Sequence, residues 1–162
     1  MWWFQVYSLA VYGRSSGARR CILLTALNLV NSGTYSKLTL EFSRPYPVAF
    51  NICIGNSDDH FRNHGFLLTA KGWTLSPAYD MNPTLNEYQS LLISNSSSKA
   101  DLAILSDACE DYMLPQDVAT KIISEVVAAV KGWKALATKL GIANSEMDLF
   151  GNTFESRIKE YI

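Results

Sequence analysis

The sequence is organised around one polar stretch, Asn56-Ser57-Asp58-Asp59-His60-Phe61-Arg62-Asn63-His64. It directly follows an almost continuously apolar run, Val48-Ala49-Phe50-Asn51-Ile52-Cys53-Ile54, whose single polar residue is Asn51. Because a polar loop follows at once, the apolar run predicts a buried helix, although periodicity over so few residues also allows a buried strand. The polar stretch itself, with Gly55 before it, has the composition of a loop.

A short β-hairpin is predicted immediately after this loop. Residues 65–69 and 73–75 are rich in strand-forming side chains and flank Ala70-Lys71-Gly72. Ser76-Pro77 ends the second strand, because proline lacks the amide N–H that a strand ladder needs. A hairpin at this place returns the chain, so the following Asp80 is expected to face the polar loop.

Most of the remaining chain is predicted to be helical. Upstream, the pattern predicts a strand over 5–12, a basic turn over 13–20, and two short helices over 22–30 and 35–42. The small β elements are few beside the predicted helices. The residues therefore indicate an α+β domain that is mainly α.

Three further predictions concern the second half of the chain. Residues 95–98 have the composition of a polar linker, and a helix is predicted over 99–112. Apolar residues recur at three- and four-residue steps over 118–140, which predicts an amphipathic helix bent near Gly132. Ser145 stands where it can cap a last helix.

Length and composition limit the class of protein. The chain has 162 residues, 14 Lys and Arg against 15 Asp and Glu, and 48% hydrophobic residues, which is typical of one folded domain and not of a disordered chain. The even charge disfavours a dedicated nucleic-acid-binding protein. An odd count of 3 cysteines without a Cys-x-x-Cys pair disfavours a disulfide scaffold or a structural zinc site. Neither a signal peptide nor a membrane span is expected, and a cytoplasmic location is the prediction.

The spacing of three oxygen-bearing side chains suits phosphoryl transfer. That reaction needs a carboxylate that orients the attacking hydroxyl and oxygen ligands for Mg²⁺, and protein kinases provide them as Asp, Asn and Asp across a loop and a hairpin. Here Asn63 lies five residues after Asp58, and Asp80 lies 22 residues after it. Asp59 fits less well, because the residue at the same spacing is His64, a poor Mg²⁺ ligand. A solvated turn whose side chains bond to nearby backbone is the alternative explanation.

Two segments that include these residues form one long motif. They are Phe50-Asn51-Ile52-Cys53-Ile54-Gly55-Asn56-Ser57-Asp58-Asp59-His60-Phe61-Arg62-Asn63-His64-Gly65-Phe66 and Gly72-Trp73-Thr74-Leu75-Ser76-Pro77-Ala78-Tyr79-Asp80-Met81-Asn82-Pro83. The motif closely resembles the HipA-like serine/threonine kinase family, whose members are toxin-type kinases of bacterial toxin–antitoxin modules. The resemblance is strong over 48–84 and looser over the rest of 5–160.

The resemblance implies the carboxyl-terminal, helical lobe of a divergent protein-kinase-like fold, with the β-hairpin at the active site. It implies ATP and Mg²⁺ as cofactors and a protein hydroxyl as the phosphate acceptor. Asp58 would be the catalytic residue that orients or deprotonates this hydroxyl, and Asn63 and Asp80 would bind Mg²⁺. The residues implied to contact the nucleotide are His60, Phe61, Arg62, Asn63, Tyr79 and Asp80.

Several parts of a complete kinase are not found in the sequence. It contains no glycine-rich loop before a strand, no lysine in a Val-Ala-Ile-Lys-like strand and no helix glutamate to pair with that lysine. Fewer than 60 residues precede Asp58, too few for a complete small lobe. Residues 1–162 are therefore interpreted as a single carboxyl-terminal lobe without the amino-terminal small lobe, as in a truncated or split kinase.

Two other functions stay open. A non-catalytic kinase relic would act as a protein-binding module of a toxin–antitoxin system, and the missing small lobe favours it. A metal hydrolase would use His60 and His64 with Asp58, Asp59 or Asp80, although the sequence has no His-Glu-x-x-His pattern. For the kinase, the expected partners are a protein substrate and an antitoxin or a separately encoded small lobe, with DNA contacted only through such a partner and no membrane.

Overall fold

The computed structural model describes residues 45–69, 72–76 and 78–161 of the chain. Four predictions lie outside these residues: the strand over 5–12, the basic turn over 13–20, and the helices over 22–30 and 35–42. The described part is mainly helical. None of its helices is both long enough and apolar enough to cross a membrane.

The described elements follow one another in a simple order. The α-helices are α1 (Pro45–Ile54), α2 (Leu102–Asp107), α3 (Gln116–Lys131), α4 (Trp133–Lys139) and α5 (Asn144–Ile158). Short 3₁₀ helices lie at Phe61–Asn63, Cys109–Tyr112 and Lys159–Tyr161. Strands β1 (Phe66–Thr69) and β2 (Gly72–Leu75) pair antiparallel, with Phe66 opposite Leu75 and Thr69 opposite Gly72.

Helix α1 lies at the centre of the described core. All 10 of its residues are buried, and it packs against α3, α5 and α2. A helix with no polar face is stable only when other elements surround it. Pro45 and Pro47 fit its first turn, where backbone N–H groups have no intrahelical partner. The buried helix predicted over 48–54 is confirmed, and it begins three residues earlier.

Helix α3 supplies the broadest surface against α1. Its buried residues follow the predicted periodicity and are Ala119, Ile122, Ile123, Val126, Val127 and Val130. The bend predicted near Gly132 is a complete interruption, because Gly132 leaves helical geometry at ψ 0 and α4 begins at the next residue. The side chain of Trp133 then packs edge-to-face on Phe154 of α5, with ring centroids 5.1 Å apart.

Two predictions around α2 need correction. The helix predicted over 99–112 begins only at Leu102, because Asp101 caps it by accepting a 2.9 Å hydrogen bond from the Ala103 amide. It ends at Asp107, and a 3₁₀ helix follows. Residues 95–98 are not a free linker, because a β-bridge between Ser94 and Ser97 closes them into a tight turn.

The cap predicted for the last helix is also wrong. Helix α5 begins at Asn144, and its capping residue is Ala143, whose side chain makes no hydrogen bond. Ser145 lies inside the first turn. The serine was favoured because its hydroxyl can satisfy a free backbone N–H group, but the chain turns one residue too early for it to do so.

Candidate active site

The polar loop leaves α1 at Gly55, a position that only glycine fits. Its φ is +68°, a left-handed conformation that other residues adopt at a cost. A Cβ atom there would lie 2.8 Å from the Thr84 carbonyl oxygen and 2.9 Å from Thr153 Cγ2. The segment around Thr84 and helix α5 therefore pack directly on the start of the loop.

Asn56 explains the polar residue inside the otherwise apolar α1. It is 1% exposed, and its Nδ2 donates to Asn51 Oδ1 at 3.0 Å. Its backbone N–H donates to the Asn51 carbonyl at 2.9 Å. Asn51 thus anchors the loop to the core helix, because buried amide groups need hydrogen-bond partners.

Ser57 connects the loop to the segment that follows Asp80. Its Oγ accepts from Asn86 Nδ2 at 3.0 Å and lies 2.8 Å from Thr84 Oγ1. Its carbonyl accepts from both the N–H and the Oγ of Ser90, each at 2.9 Å. Four hydrogen bonds therefore hold the residue directly before Asp58.

Asp59, directly after Asp58, is held from the other side. It is 3% exposed, and its Oδ1 lies 2.8 Å from His64 Nε2. The contact has the distance of an ion pair, but the ring N–H is not aligned for a hydrogen bond. The pair spans the 3₁₀ helix Phe61–Asn63 and so closes the loop on itself.

Asp58 and Asn63 are brought together as their spacing predicts. Asn63 Nδ2 donates to the Asp58 carbonyl at 3.0 Å. Because the amide nitrogen is used there, the Asn63 amide oxygen is left for another partner. The Asp58 side chain is exposed, and it forms no hydrogen bond or ion pair with any residue that the structure describes.

Tyr79 joins the segment beyond the strands to the loop. Its phenol donates to the Arg62 carbonyl at 2.6 Å, and its ring lies 3.7 Å from the position a Gly65 Cβ would take. Asn63 follows Arg62 and Asp80 follows Tyr79, so the two residues implied as metal ligands stand next to the two ends of one hydrogen bond.

Asp80 itself has an unusual backbone. Its φ is +56°, and its Oδ1 accepts from Asn82 Nδ2 at 2.7 Å. Left-handed geometry costs a residue with a Cβ about 1–2 kcal/mol, although Asp tolerates it better than most. Such strain is concentrated at functional sites, where the surrounding structure maintains it.

The remaining implied nucleotide contacts lie on the outer surface of the loop. Phe61 is 72% exposed, and Arg62 is also exposed. The Nδ1 atom of His60 is buried and has no hydrogen-bond partner in the described part of the chain. An unpartnered buried nitrogen beside exposed charged groups is typical of a position where a polar ligand binds.

The described residues offer no cluster of the kind a metal hydrolase uses. Among them, no three His, Cys, Asp or Glu side chains are grouped so as to hold a metal ion. A kinase-type Mg²⁺ site differs, because it combines one or two protein oxygens with oxygens of the nucleotide and of water. Asn63 and Asp80 are such a pair of protein ligands.

The polar residues that organise the loop were missed by the sequence analysis. Ser57, Thr84, Asn86 and Ser90 form most of the hydrogen bonds between the loop and the later segment. Each is a common loop residue, and no spacing rule singles them out. The available signal was the density of Ser, Thr and Asn after Pro83.

Comparison with known proteins agrees with this arrangement. The family model for the HipA-like C-terminal domain matches residues 24–133, which is more than half of the chain and includes the whole loop. The chain belongs to the HipA-like C-terminal domain family. A search of curated proteins gives no match.

A solved structure shows the same fold for this HipA-like domain. It is a HipA chain from Shewanella oneidensis MR-1, in a toxin–antitoxin complex of HipA, HipB and operator DNA. The TM-score is 0.55 at 14% sequence identity, over 90% of this chain. The match covers 34% of the HipA chain, so the present sequence spans about a third of the length of that protein.

Proposed function

We propose that this HipA-like domain is the carboxyl-terminal catalytic lobe of an ATP-dependent serine/threonine kinase. Asp58 would orient the hydroxyl of a protein substrate and accept its proton. One observation carries the proposal: the residues on both sides of Asp58 are held by hydrogen bonds or an ion pair, while its own carboxylate is exposed and makes no such contact with the described residues. A fixed backbone with a free carboxylate suits a positioned base.

Asn63 and Asp80 would hold Mg²⁺ in this proposal. The bond from Asn63 Nδ2 to the Asp58 carbonyl leaves the amide oxygen of Asn63 for a metal. Asp80 is exposed, and its second carboxylate oxygen has no partner among the described residues. Mg²⁺ prefers such oxygen ligands. When bound, the ion would neutralise charge on the nucleotide phosphates.

The nucleotide would lie against the outer surface of the loop and the β1–β2 pair. His60 offers an unpartnered buried nitrogen, and Arg62 offers an exposed guanidinium for phosphate. Tyr79 would contact the nucleotide through its ring, because its hydroxyl is bonded to the Arg62 carbonyl. Phe61 presents an exposed aromatic surface beside these groups.

A small lobe from outside residues 1–162 would complete the site. Phosphoryl transfer needs a loop over the phosphates and a lysine to pair with them, and the sequence provides neither. We propose that this lobe, an antitoxin-like protein and the phosphorylated protein are the partners of the chain in the cytoplasm. Any DNA contact would be made through the antitoxin-like partner, in line with the HipA, HipB and operator DNA complex.

Transfer of radiolabelled phosphate from ATP tests the proposal. The wild-type chain, alone and together with a candidate small lobe, is expected to label a protein acceptor only when Mg²⁺ is present. Asp58→Ala is expected to lose about 10²–10⁴-fold, the usual contribution of a positioned base. Asp148→Ala, which removes an exposed carboxylate on α5, is the matched control.

Each outcome of this assay has a meaning. Equal labelling by wild type and Asp58→Ala would overturn the kinase proposal. No labelling by wild type in either setting, with nucleotide binding retained, would favour the relic that acts as a protein-binding module.

A further inference from the structure

We propose that Ser57 is a positioning residue that holds the segment after Asp80 against the loop of Asp58, and that it determines turnover rather than ATP affinity. The effect on turnover rests on the kinase function proposed above. The tether itself rests on geometry alone, and a separate measurement tests it.

The tether is a directed chain of hydrogen bonds. Asn86 Nδ2 donates to Ser57 Oγ at 3.0 Å, Ser57 Oγ lies 2.8 Å from Thr84 Oγ1, and Thr84 Oγ1 donates to the Gly55 carbonyl at 2.7 Å. A hydroxyl has one proton and can accept as well as donate. With the Thr84 proton used on Gly55, the Ser57 proton points to Thr84, and every donor in the chain has an acceptor.

Ser57 makes a second connection through its backbone. Its carbonyl accepts from the N–H and the hydroxyl of Ser90, and the Thr84 N–H donates to the Gly55 carbonyl at 2.9 Å. Removing the Ser57 hydroxyl therefore leaves part of the contact intact. Its loss is expected to loosen the segment without unfolding it.

The tether shortens the connection between two acidic residues. Asp58 and Asp80 are separated by 22 residues along the chain, through both strands. Across the tether, Ser57 is next to Asp58 and Thr84 is four residues from Asp80. A misplacement of about 1 Å between reacting groups can lower turnover about 10²-fold, so a bond that fixes this separation acts on rate.

Helix α5 supports the far side of the same segment. Arg157 Nη2 donates to the Asn86 carbonyl at 3.0 Å, and Arg157 Nη1 donates to the Ala100 carbonyl. Asn86 is therefore held through its backbone by α5 and through its side chain by Ser57. The segment is fixed between the helical core and the loop, and Ser57 is its contact on the loop side.

Kinetics and amide hydrogen exchange of Ser57→Ala, Thr84→Val and the double variant test the proposal. Ser57→Ala is expected to lower kcat about 10- to 100-fold while KM for ATP changes by less than about twofold. The double variant is expected to lose little more, because both changes break one chain of bonds. Thr120→Val, which removes a hydroxyl bonded only to its own helix, is the matched control.

Hydrogen exchange tests the tether without reference to activity. In Ser57→Ala the amides of Thr84 and Ser90 are expected to exchange faster than in wild type, while that of Val126 in α3 keeps its protection. Unchanged exchange at Thr84 and Ser90 would overturn the tether. Faster exchange with unchanged kcat would overturn its role in turnover, whereas wild-type activity of Asp58→Ala would overturn only the kinase proposal.

Discussion

Asp80 shows how much one residue of the motif gives up for its place. Its left-handed backbone is unfavourable for a side chain with a Cβ atom, and the Asn82 amide bonds to the carboxylate that results. Folding alone would favour glycine at this position. A carboxylate that persists there is explained by binding, because a metal ligand must offer its oxygens at one defined place.

Replacement of Asp80 by glycine separates stability from binding. Asp80→Gly is expected to unfold at equal or higher urea concentration, with a gain of up to about 1 kcal/mol from relief of the left-handed strain. It is also expected to lose Mg²⁺-dependent ATP binding, measured by calorimetry. Asp80→Asn, which tolerates the same backbone geometry, is the control for the carboxylate charge. A large loss of stability in Asp80→Gly would show that the carboxylate serves the fold instead.

Cys53 is a thiol that the core keeps unreactive. It is completely buried in α1, and burial raises its pKa from 9.0 to about 12. At pH 8 the thiolate, which is the reactive form, is therefore absent from the folded protein. Alkylation with iodoacetamide is expected to modify Cys53 only after unfolding, as followed by mass spectrometry of the peptide. Equal labelling rates with and without denaturant would contradict this.

At the scale of elements, the junction between α1 and the loop depends on Gly55. The turn requires a left-handed residue, and the segment around Thr84 approaches too closely for any Cβ. Gly141 has a similar φ of +72° but open space around it. The two glycines therefore share the conformational requirement, and only Gly55 adds a steric one.

Alanine at the two glycines measures that steric requirement. Gly141→Ala is expected to cost about 1–2 kcal/mol of unfolding free energy, from backbone strain alone. Gly55→Ala is expected to cost more, by a further 1–3 kcal/mol or about that, because the Thr84 carbonyl and Thr153 must move. Chemical denaturation of both variants gives the comparison. Equal losses would mean that the Thr84 segment yields without cost.

The elements differ in how well the sequence predicts them. Helices α1 and α3 follow from apolar pattern, because burial dictates both the pattern and the fold. The start of α5 does not, because several residues compete to cap a helix and the turn geometry selects among them. In the loop, spacing predicts that Asp58 and Asn63 meet, but the hydrogen bonds of Ser57 depend on tertiary approach and leave no local pattern.

At the scale of the whole molecule, α1 is joined to α3 by a polar bond as well as by apolar packing. The Tyr46 hydroxyl donates to Glu125 Oε2 at 2.7 Å. Burial, and then the hydrogen bond and negative charge of Glu125, raise the pKa of Tyr46 well above its ordinary 10.0. The protonated phenol is the form that suits the fold, as is the protonated thiol of Cys53.

These two groups predict a loss of stability in alkaline solution. Both pKa values are raised by folding, so their stabilisation is fully present below pH 9 and is lost as pH rises from 9 towards 12. Urea unfolding at pH 7, 9 and 10.5 is expected to show this decline. Tyr46→Phe is expected to be less stable at pH 7, by about 1 kcal/mol, with a shallower decline. An unchanged slope in Tyr46→Phe would exclude Tyr46 as a cause, and Tyr88→Phe, at an exposed position, is the control.

The most direct test of the whole account is the binding of Mn²⁺, as a spectroscopic substitute for Mg²⁺, measured by electron paramagnetic resonance with and without ATP. The account predicts that the wild-type chain binds one Mn²⁺ together with ATP, and that Asn63→Ala and Asp80→Ala each weaken this binding at least about 10-fold. Asp148→Ala should bind as wild type does. If Asn63→Ala and Asp80→Ala both bind Mn²⁺ and ATP as tightly as wild type, these side chains are not metal ligands and the phosphoryl-transfer site does not exist.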